Sequence, residues 1–129
     1  MQKETQNWIS KANKDLGTAG FALESVDGPL PVTTALHCQQ AAEKYLKAFL
    51  QEHKLTFSRR HNLIPLLESC ISIDNSFEDL RKDINQLESY SIASRYPKAN
   101  DSLAFRNEAL ATANRVKEFI LGKFSTSRK

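Results

Sequence analysis

Little in the composition of this chain marks a secreted protein or a familiar catalyst. Only Cys38 and Cys70 occur among 129 residues. With no CxxC pair, no His/Cys cluster and no HExxH, a zinc site is not expected. No signal peptide and no apolar run near the roughly 18 residues of a membrane span are present, so a reduced, cytoplasmic chain away from membranes is expected. Both cysteines have apolar neighbours and read as core rather than as reactive thiols. The Ser-His-Asp set, the glycine-rich phosphate loop and the Glu-x-x-His pairs of di-iron bundles are all missing, and neither metal nor cofactor is expected.

Charge of one sign is also lacking. Eighteen Lys and Arg against fifteen Asp and Glu give +3, interspersed along the chain. That balance permits an anionic ligand without demanding nucleic acid. The length suits one domain, residues 1–129, able to bury about two thirds of its unfolded surface around a single core.

What is present is helical spacing almost throughout, and nothing alternates as a strand would. Trp8, Ala12, Leu16, Ala19, Leu23 and Val26 form one apolar stripe, ended by Gly28-Pro29-Leu30-Pro31. Thr33 or Thr34 can cap a second helix whose stripe is Ala35, Cys38, Ala42, Tyr45 and Phe49, widened by Leu36, Leu46 and Leu50. Its alanines would let a neighbour approach closely. Leu63, Leu66, Leu67 and Cys70 make a short helix with Pro65 in its first turn. A loop around Asp74-Asn75-Ser76 precedes Phe77, Leu80, Ile84, Leu87 and Tyr90, and Pro97 ends that helix near Arg95. Phe105, Ala109, Ala113, Val116 and Ile120 line the last helix. The expectation is an all-α, up-and-down four-helix bundle with one additional short helix, the helices spanning about 5–26, 33–53, 62–71, 76–95 and 101–124.

Three polar groupings stand out from these stripes. Gln39, Gln40, Glu43, Lys44 and Lys47 flank the apolar face of the second helix, either as a solvated edge or as a polar groove whose amides donate and accept and whose lysines meet phosphate. Glu43 and Lys47 read as a surface pair contributing about 0.2 to 0.5 kcal/mol. Ser94, Arg95 and Tyr96 bring a hydroxyl, a planar fork of donors and an aromatic face to a helix end, where a cation is favoured in any case. Arg59, Arg60 and His61 gather basic groups ahead of a helix start. His37 and His53 stand without partner spacing for a metal or a nucleophile. The residues alone give a helical binding module with a basic groove.

The order Trp8, Ala12, Asp15-Leu16, Ala19, then His37-Cys38-Gln39-Gln40-Ala41-Ala42-Glu43-Lys44-Tyr45-Leu46-Lys47-Ala48, then His61-Asn62-Leu63 and Arg95-Tyr96-Pro97 resembles the HEPN domain family, from about residue 5 to about residue 122. The resemblance implies a helical bundle that dimerises and has a nucleotide-related role. It also implies, for prokaryotic members, a minimal nucleotidyltransferase partner in a two-component or toxin-antitoxin pair. Ribonuclease branches carry an arginine followed, after four to six residues, by histidine. Here the corresponding positions after Arg95 are Asn100, Asp101 and Ser102, which supply no imidazole for acid-base work near neutral pH.

Three functions follow. The leading expectation is a homodimeric module that binds a nucleotide or a nucleotidyltransferase partner through Gln40, Lys44, Lys47, Arg95 and Tyr96. The second is a metal-independent ribonuclease toxin acting on RNA with Arg95 and His61, which the missing histidine weakens. The third is a structural dimerisation module. Binding is favoured over catalysis.

Overall fold

A computed structural model describes residues 1–24, 31–57, 62–93 and 103–126. Its α-helices are α1 (Lys3–Glu24), α2 (Pro31–Glu52), α3 (Leu63–Ile73), α4 (Arg81–Ala93) and α5 (Leu103–Thr126). No strand occurs among the described residues. The helix expected from residue 76 opens as a 3-10 segment, Asn75–Leu80, before α4 begins. Its physical cause is local. Asp74 Oδ1 accepts from the Ser76 N–H at 3.0 Å and the Ser76 hydroxyl at 2.7 Å, so a cap is fixed before the α-helical ladder starts.

Pairwise contacts give the chain directions. Trp8 lies beside Lys47 and Asp15 beside Lys44, so α1 and α2 are antiparallel. Gln39 meets Glu88 while Phe49 meets Phe77, which makes α4 antiparallel to α2. Asp83 pairs with Arg115 and Gln86 with Glu108, which reverses the chain again into α5. The result is an up-and-down bundle, with α3 as the short return between α2 and α4. Helix α2 packs against α1, α3, α4 and α5.

The core follows from that centrality. Tyr45, Leu46, Leu50, Leu63, Leu67, Phe77, Ile84, Leu87, Val116 and Ile120 are fully buried. Ala35, Ala41, Ala42 and Ala48 are buried too, so the small side chains expected to admit a close neighbour do face the packed interior. Truncating Leu46 or Leu67 would cost about 2 to 5 kcal/mol, the usual range for a buried leucine.

Helix ends are secured by long-range and local bonds. The Glu52 carboxylate, at the end of α2, accepts from the Gln2 N–H and the Thr5 hydroxyl, each at 3.0 Å. It thereby places an anion at the positive end of α1. The Gln2 N–H first, with Thr5 assisting against desolvation, holds the Glu52 carboxyl below its ordinary range. Past α2, the Leu55 N–H reaches the Leu50 carbonyl and the Lys54 N–H reaches that of Gln51, both at 3.0 Å. Lys54 takes the left-handed turn this requires, at φ 58°, where a side chain costs about 1 kcal/mol relative to glycine.

Asp74 also joins the two ends of the later chain, since Lys123 of α5 pairs with it at 3.0 Å. Hydrogen bonds from Ser76 and then Lys123 lower its carboxyl from 3.8 to about 2. A lowered folded-state value means stability that is present above about pH 4 and is lost as pH falls toward about 2. A third of the side chain is exposed, so solvent screening reduces the effect to about 1 kcal/mol. Asp74→Ala is therefore expected to lower stability by about 1 kcal/mol in urea unfolding at neutral pH. The gap to wild type should close as the pH approaches about 2; a gap independent of pH would contradict this assignment.

Candidate functional site

The polar flank of α2 runs along its seam with α1. Gln40, Lys44 and Lys47 are spaced by four and three residues and share one side of the helix, over two turns or about 10 Å. Their environments differ in sequence. Gln40 is exposed. Lys44 is a quarter exposed and donates to Asp15 Oδ2. Lys47 is buried, 6 % of its side chain exposed, with its Nζ 2.8 Å from Glu43 Oε2. The flank is open at one end and sealed at the other.

The seal is aromatic. Lys47 Nζ stands 5.2 Å from the centre of the Trp8 ring and 5.7 Å from that of Phe57. Trp8 and Phe57 meet edge to face at 5.9 Å, and Lys11 lies 5.3 Å from the same Trp8 ring. Ring faces attract cations, by about 2 kcal/mol where water is excluded. Glu43 and Lys47 are thus not the surface pair expected from their spacing. Antiparallel packing of α1 sets Trp8 over them, and the chain after α2 brings Phe57 across. A buried pair of this kind holds its partners firmly, because losing either member strands the other charge.

The double glutamine divides between two neighbours. Gln39 is buried, and its Nε2 donates to Glu88 Oε2 of α4 at 3.4 Å. The same oxygen accepts from the Leu63 N–H at 3.2 Å, so Glu88 also puts a carboxylate at the start of α3. Gln40, one residue on, points to solvent. Of the two, only Gln40 is exposed.

Asp15 is the group that residue spacing missed. Beyond Lys44, its Oδ1 lies 3.6 Å from His37 Nδ1, so the histidine that sequence leaves without a partner faces a carboxylate across the seam. A contact between residues on different helices leaves no trace in local spacing; the one available signal was an aspartate beside the apolar stripe of α1. Next to it, the Tyr45 hydroxyl donates to Asn13 Oδ1, and burial, then the Asp15 charge, pushes the Tyr45 phenol up to about 12.

Arg95 and Tyr96, with Ser94, Pro97, Arg59, Arg60 and His61, lie outside the described residues. Among the expected ligand residues, the structure therefore brings together Gln40, Lys44 and Lys47. Burial pushes the thiols of Cys38 and Cys70 up to about 12, and the Cys70 thiol donates to the Leu46 carbonyl at 3.8 Å. Both stay protonated near neutral pH, when a nucleophile would need to be a thiolate. Among the described residues no three His, Cys, Asp or Glu are grouped to hold a metal ion, and no helix is long and apolar enough to cross a membrane. An open depression of about 390 Å³ is lined by Gln51, Lys54, Leu55, Thr56 and Phe57, at the far end of α2, about 16 Å along the helix from Gln40.

The buried pair yields a direct prediction. Lys47→Met and Glu43→Gln should each destabilise by about 3 kcal/mol in denaturant unfolding, and the double variant by clearly less than their sum. Additive losses would mean that the two side chains do not depend on each other.

A family model described as the HEPN domain matches residues 5–123. Comparison with curated proteins gives no match, and comparison with solved structures gives none. The matched span takes in α2 with its polar flank, both faces of the α1 seam and every described helix but its outermost residues. On that match and on its all-helical bundle, the chain belongs to the HEPN domain family.

Proposed function

We propose that this chain is a nucleotide-binding HEPN module that works as a homodimer in the cytoplasm, beside a minimal nucleotidyltransferase in a two-component or toxin-antitoxin pair. Gln40 and Lys44 face the ligand, Arg95 and Tyr96 complete the site, and Lys47 acts from beneath by fixing the flank. The observation that carries this reading is the position of Lys44: a quarter exposed, at the mouth of a seam, one turn from the open amide of Gln40. An ammonium there meets a phosphate as a point charge, and an amide one turn away donates to an adjoining oxygen or a base edge. The direction of α4 supports it too. Running antiparallel to α2, α4 travels from the Phe49 end toward the Gln39 end, so Ala93 ends the helix on the side of the bundle that holds Gln40.

Millimolar ATP added to labelled protein should shift the amide resonances of Gln40, Lys44, Arg95 and Tyr96. Lys44→Ala should weaken binding about tenfold, the equivalent of one charge-assisted hydrogen bond. Unchanged spectra, or equal affinity in the variant, would remove the ligand half of the proposal. If Lys44→Ala altered only dimer stability, a structural dimerisation role would take its place. The partner half predicts that a nucleotidyltransferase co-purifies with the tagged chain from its native source.

A further inference from the structure

Lys44 shares its carboxylate neighbour with a second basic side chain. Seven residues before it on the same flank of α2 is His37, and Asp15 of α1 stands between the two. Asp15 Oδ2 accepts from Lys44 Nζ, while Oδ1 lies 3.6 Å from His37 Nδ1. That distance is too long for a hydrogen bond, and the nitrogen is buried with no hydrogen-bond partner. Leaving a buried polar nitrogen unmatched costs free energy. A hydrogen on it, in the neutral Nδ1–H tautomer or in the imidazolium, would be directed at a carboxylate, and only the imidazolium adds a charge.

Other charges around α2 are committed elsewhere. On α4, Glu88 receives Gln39 and the Leu63 N–H, and Asp83 receives Arg115. Glu108 of α5 receives Gln86, and Glu68 in the middle of α3 receives Arg81. On α2 itself Glu43 holds Lys47, and on α1 Lys11 lies over Trp8. Among the described residues, Asp15 is the carboxylate within 4.0 Å of His37. The His37, Asp15 and Lys44 side chains are 28 %, 15 % and 25 % exposed, so the edge of the cluster is within reach of a small anion.

With His37 neutral, Asp15 cancels Lys44 and the cluster carries no net charge. With His37 protonated, one positive charge is left over at the mouth of the seam. We propose that His37 and Asp15 form a protonation switch on phosphate binding at Lys44, which takes a phosphate-bearing ligand when His37 is charged and releases it when His37 is neutral. The switch rests on the reading of Lys44 as a phosphate-facing residue. Imidazoles gain a proton as the pH falls, so binding strengthens with falling pH.

The test titrates ATP into wild type, His37→Gln and Asp15→Asn, each first shown to be folded by circular dichroism, at about pH 8 and about pH 5.5. Protonation of ATP itself is common to all three proteins and cancels in the ratio of affinities. Wild type should bind about fivefold more tightly than His37→Gln at the lower pH and equally at the higher, a typical coupling between sites. Asp15→Asn, with its positive charge uncancelled, should bind at the higher pH as tightly as wild type does at the lower. Identical pH profiles for wild type and His37→Gln would overturn the switch and leave nucleotide binding standing. No ATP binding at either pH would remove both. A readout free of ligand separates the two further: the Asp15 carboxyl carbon resonance should move with the midpoint of the His37 ring. If it stays flat while His37 titrates, the switch is wrong whatever binds.

Discussion

Helix α2 is packed by four other helices, and that constraint governs where every charge in the centre of this protein can go. A buried charge is tolerated only when paired or capped, and α2 carries two buried charges and two half-buried ones. Glu43 and Lys47 neutralise each other under two aromatic rings. Lys44 finds Asp15 on α1. Glu52 serves the start of α1. Each solution needs a particular neighbour in a particular register, so the polar residues fix the geometry that the apolar stripe would leave free to slide.

Function is read from the same arrangement. Sealing is graded along one flank, from the closed pair at Lys47 through the partly open Lys44 to exposed Gln40. A sealed ammonium holds helices together, whereas a partly open one beside an exposed amide can exchange its carboxylate for a ligand oxygen. Two lysines that look equivalent by residue type thus have different chemistry. Under the nucleotide-binding proposal, that difference would separate scaffold from site within the HEPN bundle and put the ligand at the Gln40 end.

The architecture was legible because helix periodicity and proline breaks are local signals. The stripe of Ala35, Cys38, Ala42, Tyr45 and Phe49 is buried as its spacing implies, and Pro65 does sit in the first turn of α3. The 3-10 start of α4 was not legible, since an Asp74 cap on the otherwise unpartnered Ser76 N–H reads the same ahead of an α-helix. The burial of Glu43 and Lys47 escaped for another reason. An i, i+4 charge pair has one pattern whether water or Trp8 covers it, and only the packing of α1 decides. His37 and Asp15 are separated by 22 positions, and no spacing rule within one helix reaches across a seam.

Lys47 is held closed while Lys44 stays within reach of solvent. Reductive methylation followed residue by residue by mass spectrometry measures that difference directly. Lys47 should be modified at least about tenfold more slowly than Lys44 and Lys11, because it reacts only when the seam opens. In Phe57→Ala the protection of Lys47 should fall while the rate at Lys44 is unchanged. Modification of Lys47 at the rate of Lys11 in the wild-type protein would contradict the account, since the aromatic seal would then not exist in solution.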